Sequence, residues 1–405
     1  MRKITFWLTL CLIFTIPWED GLSIPVIGSI AKLLGLVVAG FWFLTILSKG
    51  RFRKPHPFHA FVLFFFLWNI VSYTWSININ DTLGRIITYG QIFILMIIVW
   101  EMFQKPAELA AGLQAYIFGA FVLIASSINN YLHGTVAENY EVRYSATGVN
   151  AVDLVVFLLL GLPIAWHLFA YSERNKNRVL KIINFSFLPL AIITVLLTGS
   201  RTSLFAIVPA VIYILWPKKV DIVQLGLRLI ILVVSILGSL AFLPSSVIDR
   251  LATASISISS GDIGGRVVLW RETIDSFIQH PIFGSGSGTL HTIIGGLSHQ
   301  TFLSILAETG LIGFVLFVFI LAIVINQAVR LPKGYSGLWL SSLFVWFVAV
   351  LSLSFEFRKV TWIFFSFVII EGAALTKKYR SKKLKSKVSK TIKSQSLTHV
   401  AESYD

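Results

Sequence analysis

The chain has a single cysteine, Cys11, in 405 residues. That excludes an intrachain disulfide, and with no second thiol it excludes a cysteine-built metal cluster as well. Charge is also scarce: Asp, Glu, Lys and Arg make up 13% of residues, and only 19 of them are acidic. Soluble domains carry about 25% charged residues, so a water-facing globule is excluded. No His, Asp and Glu cluster has metal-ligand spacing, so no metal is expected, and nothing points to another cofactor. No glycine run has the Gly-Lys-Ser/Thr ending of a phosphate-binding loop, and no internal repeat is evident. No small-residue cleavage site follows the first apolar run.

What the chain has in quantity is apolar sequence, at 56% of residues. About twelve runs approach spanning length: 4–18, 24–47, 57–77, 82–100, 106–128, 148–171, 182–198, 202–216, 223–243, 298–325, 336–354 and 360–375. The expected fold is all-α, a polytopic helical bundle with one loop domain. Its boundaries are 1–244 for nine spans, 245–297 for the loop, 298–375 for three more spans and 376–405 for a basic tail. Runs 182–198 and 202–216 rise only about 25 and 22 Å as helices, which predicts a recessed turn between them.

The net charge of +15 follows this alternation. Lys49, Arg51, Arg53 and Lys54 fall in one loop, and Arg174, Lys176, Arg178 and Lys181 in another on the same side. The tail beginning Lys377-Lys378-Tyr379-Arg380 joins them. The intervening loops hold fewer cations and more acids, among them Glu19, Asp20, Asp81, Glu138 and Glu141. By the positive-inside rule both termini are cytoplasmic and the 245–297 loop is outside. The basic tail then reads as an anchor beside anionic lipid, not as a nucleic-acid site.

Candidate chemistry lies in the outer segments. His299 stands where the polar loop enters a span, and imidazole titrates near neutral pH. His299, Leu306, Gly310 and Gly313 fall on one helical face, where the glycines allow close helix approach. Glu308 falls opposite and calls for a buried cation, with Lys32 the candidate. Arg201 sits in the turn Thr198-Gly199-Ser200-Arg201-Thr202-Ser203, where Ser200 and Thr202 can cap the next helix. Arg85, one turn inside its span, needs a partner or a wet cavity. Residues 266–278 predict an amphipathic helix with Val267, Trp270, Ile274, Phe277 and Ile278 on its apolar face. Phe283-Gly284-Ser285-Gly286-Ser287-Gly288 reads as a mobile linker.

In order, Thr198–Thr202, Gly265-Arg266 with Trp270, Pro281, Gly284-Ser285-Gly286 and His299-Gln300 with Gly310 and Gly313 resemble the landmarks of bacterial O-antigen ligases and the related Wzy-type polysaccharide polymerases. The stretch Arg143–Asn150 is a looser match, with Val149 where that family often has proline. The resemblance implies a donor glycan on undecaprenyl diphosphate at the outer face of the inner membrane. The acceptor is a lipid A-core sugar hydroxyl for a ligase, or another lipid-linked glycan for a polymerase. Arginine forks suit diphosphate oxygens, which points first to Arg201 and Arg266, then to Arg85 and Arg143. His299 is the expected general base of an inverting, metal-independent transfer. A lipid-linked-glycan flippase or secondary transporter is the alternative of another class. It would share the span count, but two matched halves with paired broken helices are absent.

Overall fold

The computed structural model describes residues 1–24, 28–136, 143–216, 243–252 and 266–376, with scattered residues between 223 and 238. About half of the expected span 223–243, Gly265 of the Gly265-Arg266 landmark and the basic tail from Lys377 lie outside the described residues. The described chain is helical apart from one two-residue antiparallel pair, β1 (Ser23–Ile24) and β2 (Gly28–Ser29).

The helices are α1 (Arg2–Thr15), α2 (Ile30–Lys49), α3 (Pro57–Val71), α4 (Ile79–Met102), α5 (Pro106–Leu132), α6 (Ala151–Arg174) and α7 (Arg178–Leu197). Then come α8 (Arg201–Ala206), α9 (Val208–Leu215), α10 (Ser245–Ala252), α11 (Arg266–Gln279), α12 (Leu290–Ile294), α13 (Thr301–Arg330) and α14 (Lys333–Val350). The last, α15, is Lys359–Thr376. Among the described residues, 8 helices are long and apolar enough to cross a membrane: α2 to α7, α13 and α15.

Caps explain where several begin. Asn78, Asn150 and Asn177 precede α4, α6 and α7, and each side chain accepts a hydrogen bond from a backbone N–H of the first turn. Pro57 and Pro106 open α3 and α5, where a missing N–H costs nothing. The Asn177 cap also corrects one expectation. It starts α7 at Arg178, four residues before the apolar run, so α7 has 20 residues and is not short. Only the following segment is short, and it is divided at Ile207 into α8 and α9.

Ion pairs fix the two ends of the bundle. At the basic end Arg2 binds Glu108 at 2.8 Å, and the Arg53 backbone N–H donates to Glu101. At the other end Arg358 bridges Asp20 and Asp153, and Lys359 pairs with Glu19. The α6 and α15 helices are the most enclosed candidate spans. On α15, Trp362 lies 6.1 Å from Phe65 of α3 and 6.3 Å from Phe317 of α13, ring centre to ring centre. Membrane helices gain little from hydrophobicity against lipid, so this close ring packing is what binds the three helices.

Candidate active site

His299 ends a tight turn, not a helix face. Its φ of +52° places it in the left-handed region, which costs a residue with a Cβ about 1–2 kcal/mol. The neighbours hold it there. The Ser298 carbonyl accepts from Trp270 Nε1 of α11 at 3.0 Å, and Ser298 Oγ meets Ser304 Oγ at 2.7 Å. Gln300 caps α13 by accepting from the Leu303 N–H. The imidazole is half-buried, and no hydrogen bond to its ring forms among the described residues. Burial first, and then the charge of Arg266, hold its pKa below the ordinary value. At neutral pH the ring is therefore uncharged and able to accept a proton.

The helix that His299 precedes is broken. Gly310 has φ 64° and ψ −170°, which separates Thr301–Thr309 from Leu311–Arg330. The shared helical face of His299, Leu306, Gly310 and Gly313 is therefore not formed. A break inside a span leaves backbone groups that must be paired by protein. The segment Pro281–Gly288 pairs them. Ser285 N–H donates to the Ala307 carbonyl at 2.9 Å, Gly286 N–H to that of Glu308 at 3.0 Å, and Leu311 N–H to that of Pro281 at 2.9 Å. Trp68 Nε1 takes the Thr309 carbonyl at 2.8 Å. This segment is a buried clasp, not the expected mobile linker: Ser285, Ser287 and Thr289 are all buried. Phe283, exposed on its outer side, lies against Trp68 and Trp75, with ring centres at 5.9 and 5.5 Å.

The arginines take two kinds of place. Arg266 opens α11, which packs on α13 beside the His299 turn. Burial, then the nearby charge of Arg143, lower its pKa, so Arg266 lies within electrostatic reach of Arg143 on one side and His299 on the other. Among the described residues no carboxylate pairs with Arg266. Arg201 stands at the start of α8. Ser200 precedes it in the capping position without a side-chain cap bond; the turn is closed instead by Ser203 Oγ donating to the Ser200 carbonyl. Thr202 meets Ser352 at 3.2 Å, and Ser354, two residues on, meets Ser304 at 3.0 Å. The 351–358 segment is thus a wall shared by the Arg201 turn and the His299 turn. The Tyr144 N–H donates to Leu197 at 3.3 Å and brings the Arg143 segment to the same corner.

Arg85 is placed differently. Its guanidinium lies 3.4 Å from Glu356 and 3.9 Å from Glu308, over the Phe357 ring. Glu308 therefore has Arg85 as its cation, not Lys32. Glu356 was missed by sequence reasoning, although an acid within the apolar run Phe355-Glu356-Phe357 was a visible signal. The α11 helix turns its small polar residues to the bundle. Thr273 and Ser276 are buried and Trp270 and Phe277 partly so, while Val267, Ile274 and Ile278 are exposed.

Residues 185–318 match a family model described as O-antigen ligase. The matched segment contains Arg201, Arg266, His299, Glu308 and the clasp; Arg85, Arg143 and Glu356 lie outside it. No curated protein matches the chain. The match supports the O-antigen ligase and Wzy-type polymerase family, and with it a glycosyltransferase-like activity of ligase or polymerase type. Together with the apolar helices it indicates a multi-pass membrane protein.

Proposed function

We propose that this protein is an O-antigen ligase-like glycosyltransferase. It would move a glycan from undecaprenyl diphosphate to an acceptor hydroxyl, a lipid A-core sugar, at the outer face of a bacterial inner membrane. Both termini are then cytoplasmic. One observation supports the reading: a strained, half-buried histidine lies beside Arg266, next to a wall its turn shares with the Arg201 turn. Arg201, Arg266 and Arg143 would hold the diphosphate oxygens with their planar forks. Arg85 could join them only by giving up Glu308 or Glu356. As the acceptor O–H proton passes to His299, the acceptor oxygen bonds to the anomeric carbon. The carbon–oxygen bond to diphosphate breaks, and undecaprenyl diphosphate leaves with the electron pair. Single displacement inverts that carbon. The reading uses no metal, because the arginines supply the positive charge.

The test is transfer by purified protein from an undecaprenyl-diphosphate glycan to a lipid A-core acceptor. His299→Ala should lose about 10²–10⁴-fold in rate while donor binding survives. Near-normal transfer by the variant would remove the catalytic role. Extension of the donor by a second donor glycan, with no transfer to core, would make the protein a polymerase. A flippase or transporter would form no glycosidic bond even as wild type.

A further inference from the structure

The Arg85–Glu308–Glu356 group lies outside the proposed chemistry, yet it touches every part that positions it. Glu308 sits in the last turn of the half-helix that His299 precedes, and its side chain is buried. One carboxylate oxygen accepts from the Gly288 N–H of the clasp at 2.8 Å, while its own carbonyl accepts from Gly286. The other oxygen faces Arg85 on α4 at 3.9 Å. Arg85 in turn reaches Glu356 at 3.4 Å, on the segment that walls the Arg201 turn. Thr301, two residues after His299, closes the circuit, accepting from the Phe355 N–H at 2.8 Å and donating to the Leu353 carbonyl at 2.7 Å.

We propose that Glu308 is a positioning residue, which with Arg85 fixes the half-helix bearing His299 against the arginine side of the site. The catalytic role of His299 rests on the function proposed above; the positioning does not. One cation between two buried carboxylates leaves an excess negative charge. Glu356 relieves it: burial, opposed by Arg85 and reinforced by Glu308, pushes its pKa up to about 7, and its Oε2 has no hydrogen-bond partner. Among the described residues Tyr89 of α4 is the other titratable group facing this cluster. Glu308 is thus the carboxylate that Gly288 and Arg85 both require, and Glu356 is the one that takes up a proton. Glu356→Gln should accordingly be milder than Glu308→Gln.

The experiment uses the full chain in detergent or nanodiscs. A misplacement of about 1 Å costs on the order of 10²-fold, so Glu308→Gln should lower transfer by about that factor. Binding of undecaprenyl diphosphate should be unchanged. Modification of His299 by diethyl pyrocarbonate, followed by mass spectrometry, should change in rate, since this reads the imidazole without any glycan. Arg85→Gln with Glu308→Gln should be no worse than the poorer single variant, because the two act as a pair. Wild-type transfer and His299 reactivity in Glu308→Gln would overturn the proposal. Additive losses in the cycle would overturn it too, and would return Arg85 to the donor. Loss of folding in Glu308→Gln that the double variant does not restore would make Glu308 a fold residue only. If the wild type transfers no glycan while Glu308→Gln still alters His299 reactivity, the enzyme reading fails and the positioning stands.

Discussion

Replacing Gly310 by alanine tests the clasp at its narrowest point. The backbone there has φ 64° and ψ −170°, a region essentially reserved for glycine, and a Cβ in it costs on the order of 1–3 kcal/mol. The added atom would also press on the Ile282 carbonyl and approach Gly284 N to 2.6 Å. Both neighbours are backbone, so no side-chain rotation relieves the overlap and Pro281–Gly284 must retreat. The Leu311–Pro281 and Ser285–Ala307 hydrogen bonds, each 2.9 Å, would lengthen or break. At about 0.5–1.5 kcal/mol for each bond, the total with the strain comes to roughly 2–6 kcal/mol. The assay is thermal unfolding of the purified protein in detergent, with Gly296→Ala as control. A Cβ at Gly296 meets nothing within 4 Å, so the control should stay within about 0.5 kcal/mol of wild type. Unchanged unfolding of Gly310→Ala, or equal losses in both variants, would refute the stitched-break account.

Arg201→Lys keeps the charge and loses the planar fork; turnover should fall sharply while the protein still inserts, and wild-type turnover would remove Arg201 from the diphosphate set. A base acts only when unprotonated, so kcat/KM should fall as pH drops through the His299 pKa, which burial and Arg266 hold below about 6.5. Arg266→Gln removes the nearby positive charge and should move that acid limb to higher pH, whatever it does to the maximum rate. A limb that stays in place or moves lower would show that Arg266 does not act on His299.

Much of this arrangement was legible because it is local. Hydropathy located the helices, charge alternation ordered the loops, and His299, Arg201 and Arg266 stood out as polar groups beside apolar runs. The rest is not local. The pairing of Arg85 with Glu308 joins residues on α4 and α13, and no periodicity encodes which cation an acid meets. The break at Gly310 was hidden because a lone glycine is tolerated inside a helical pattern, and its cause lies in a clasp more than twenty residues earlier. The apolar face of α11 was legible, but not which side of the helix packs on the bundle. Here Thr273 and Ser276 pack inward, and Ile274 and Ile278 face out. The start of α7 was misjudged by counting apolar residues, when the Asn177 cap extends the helix through Arg178 and Lys181.

The enclosure of α15 has a consequence for how the protein is made. Helices enter the membrane in the order of synthesis, so this central element arrives after the α3, α4 and α13 helices it packs on. Until Trp362 is in place, Phe65, Tyr89 and Phe317 lack the ring that all three share. The loop before α15 arrives with it, carrying Glu356 for Arg85 and Arg358 for Asp153. Two buried charges laid down early in translation therefore wait for partners more than two hundred residues later. Until Glu356 and Arg358 arrive, Arg85 has Glu308 alone as its carboxylate and Asp153 lacks its arginine, a plain signal for quality control to read.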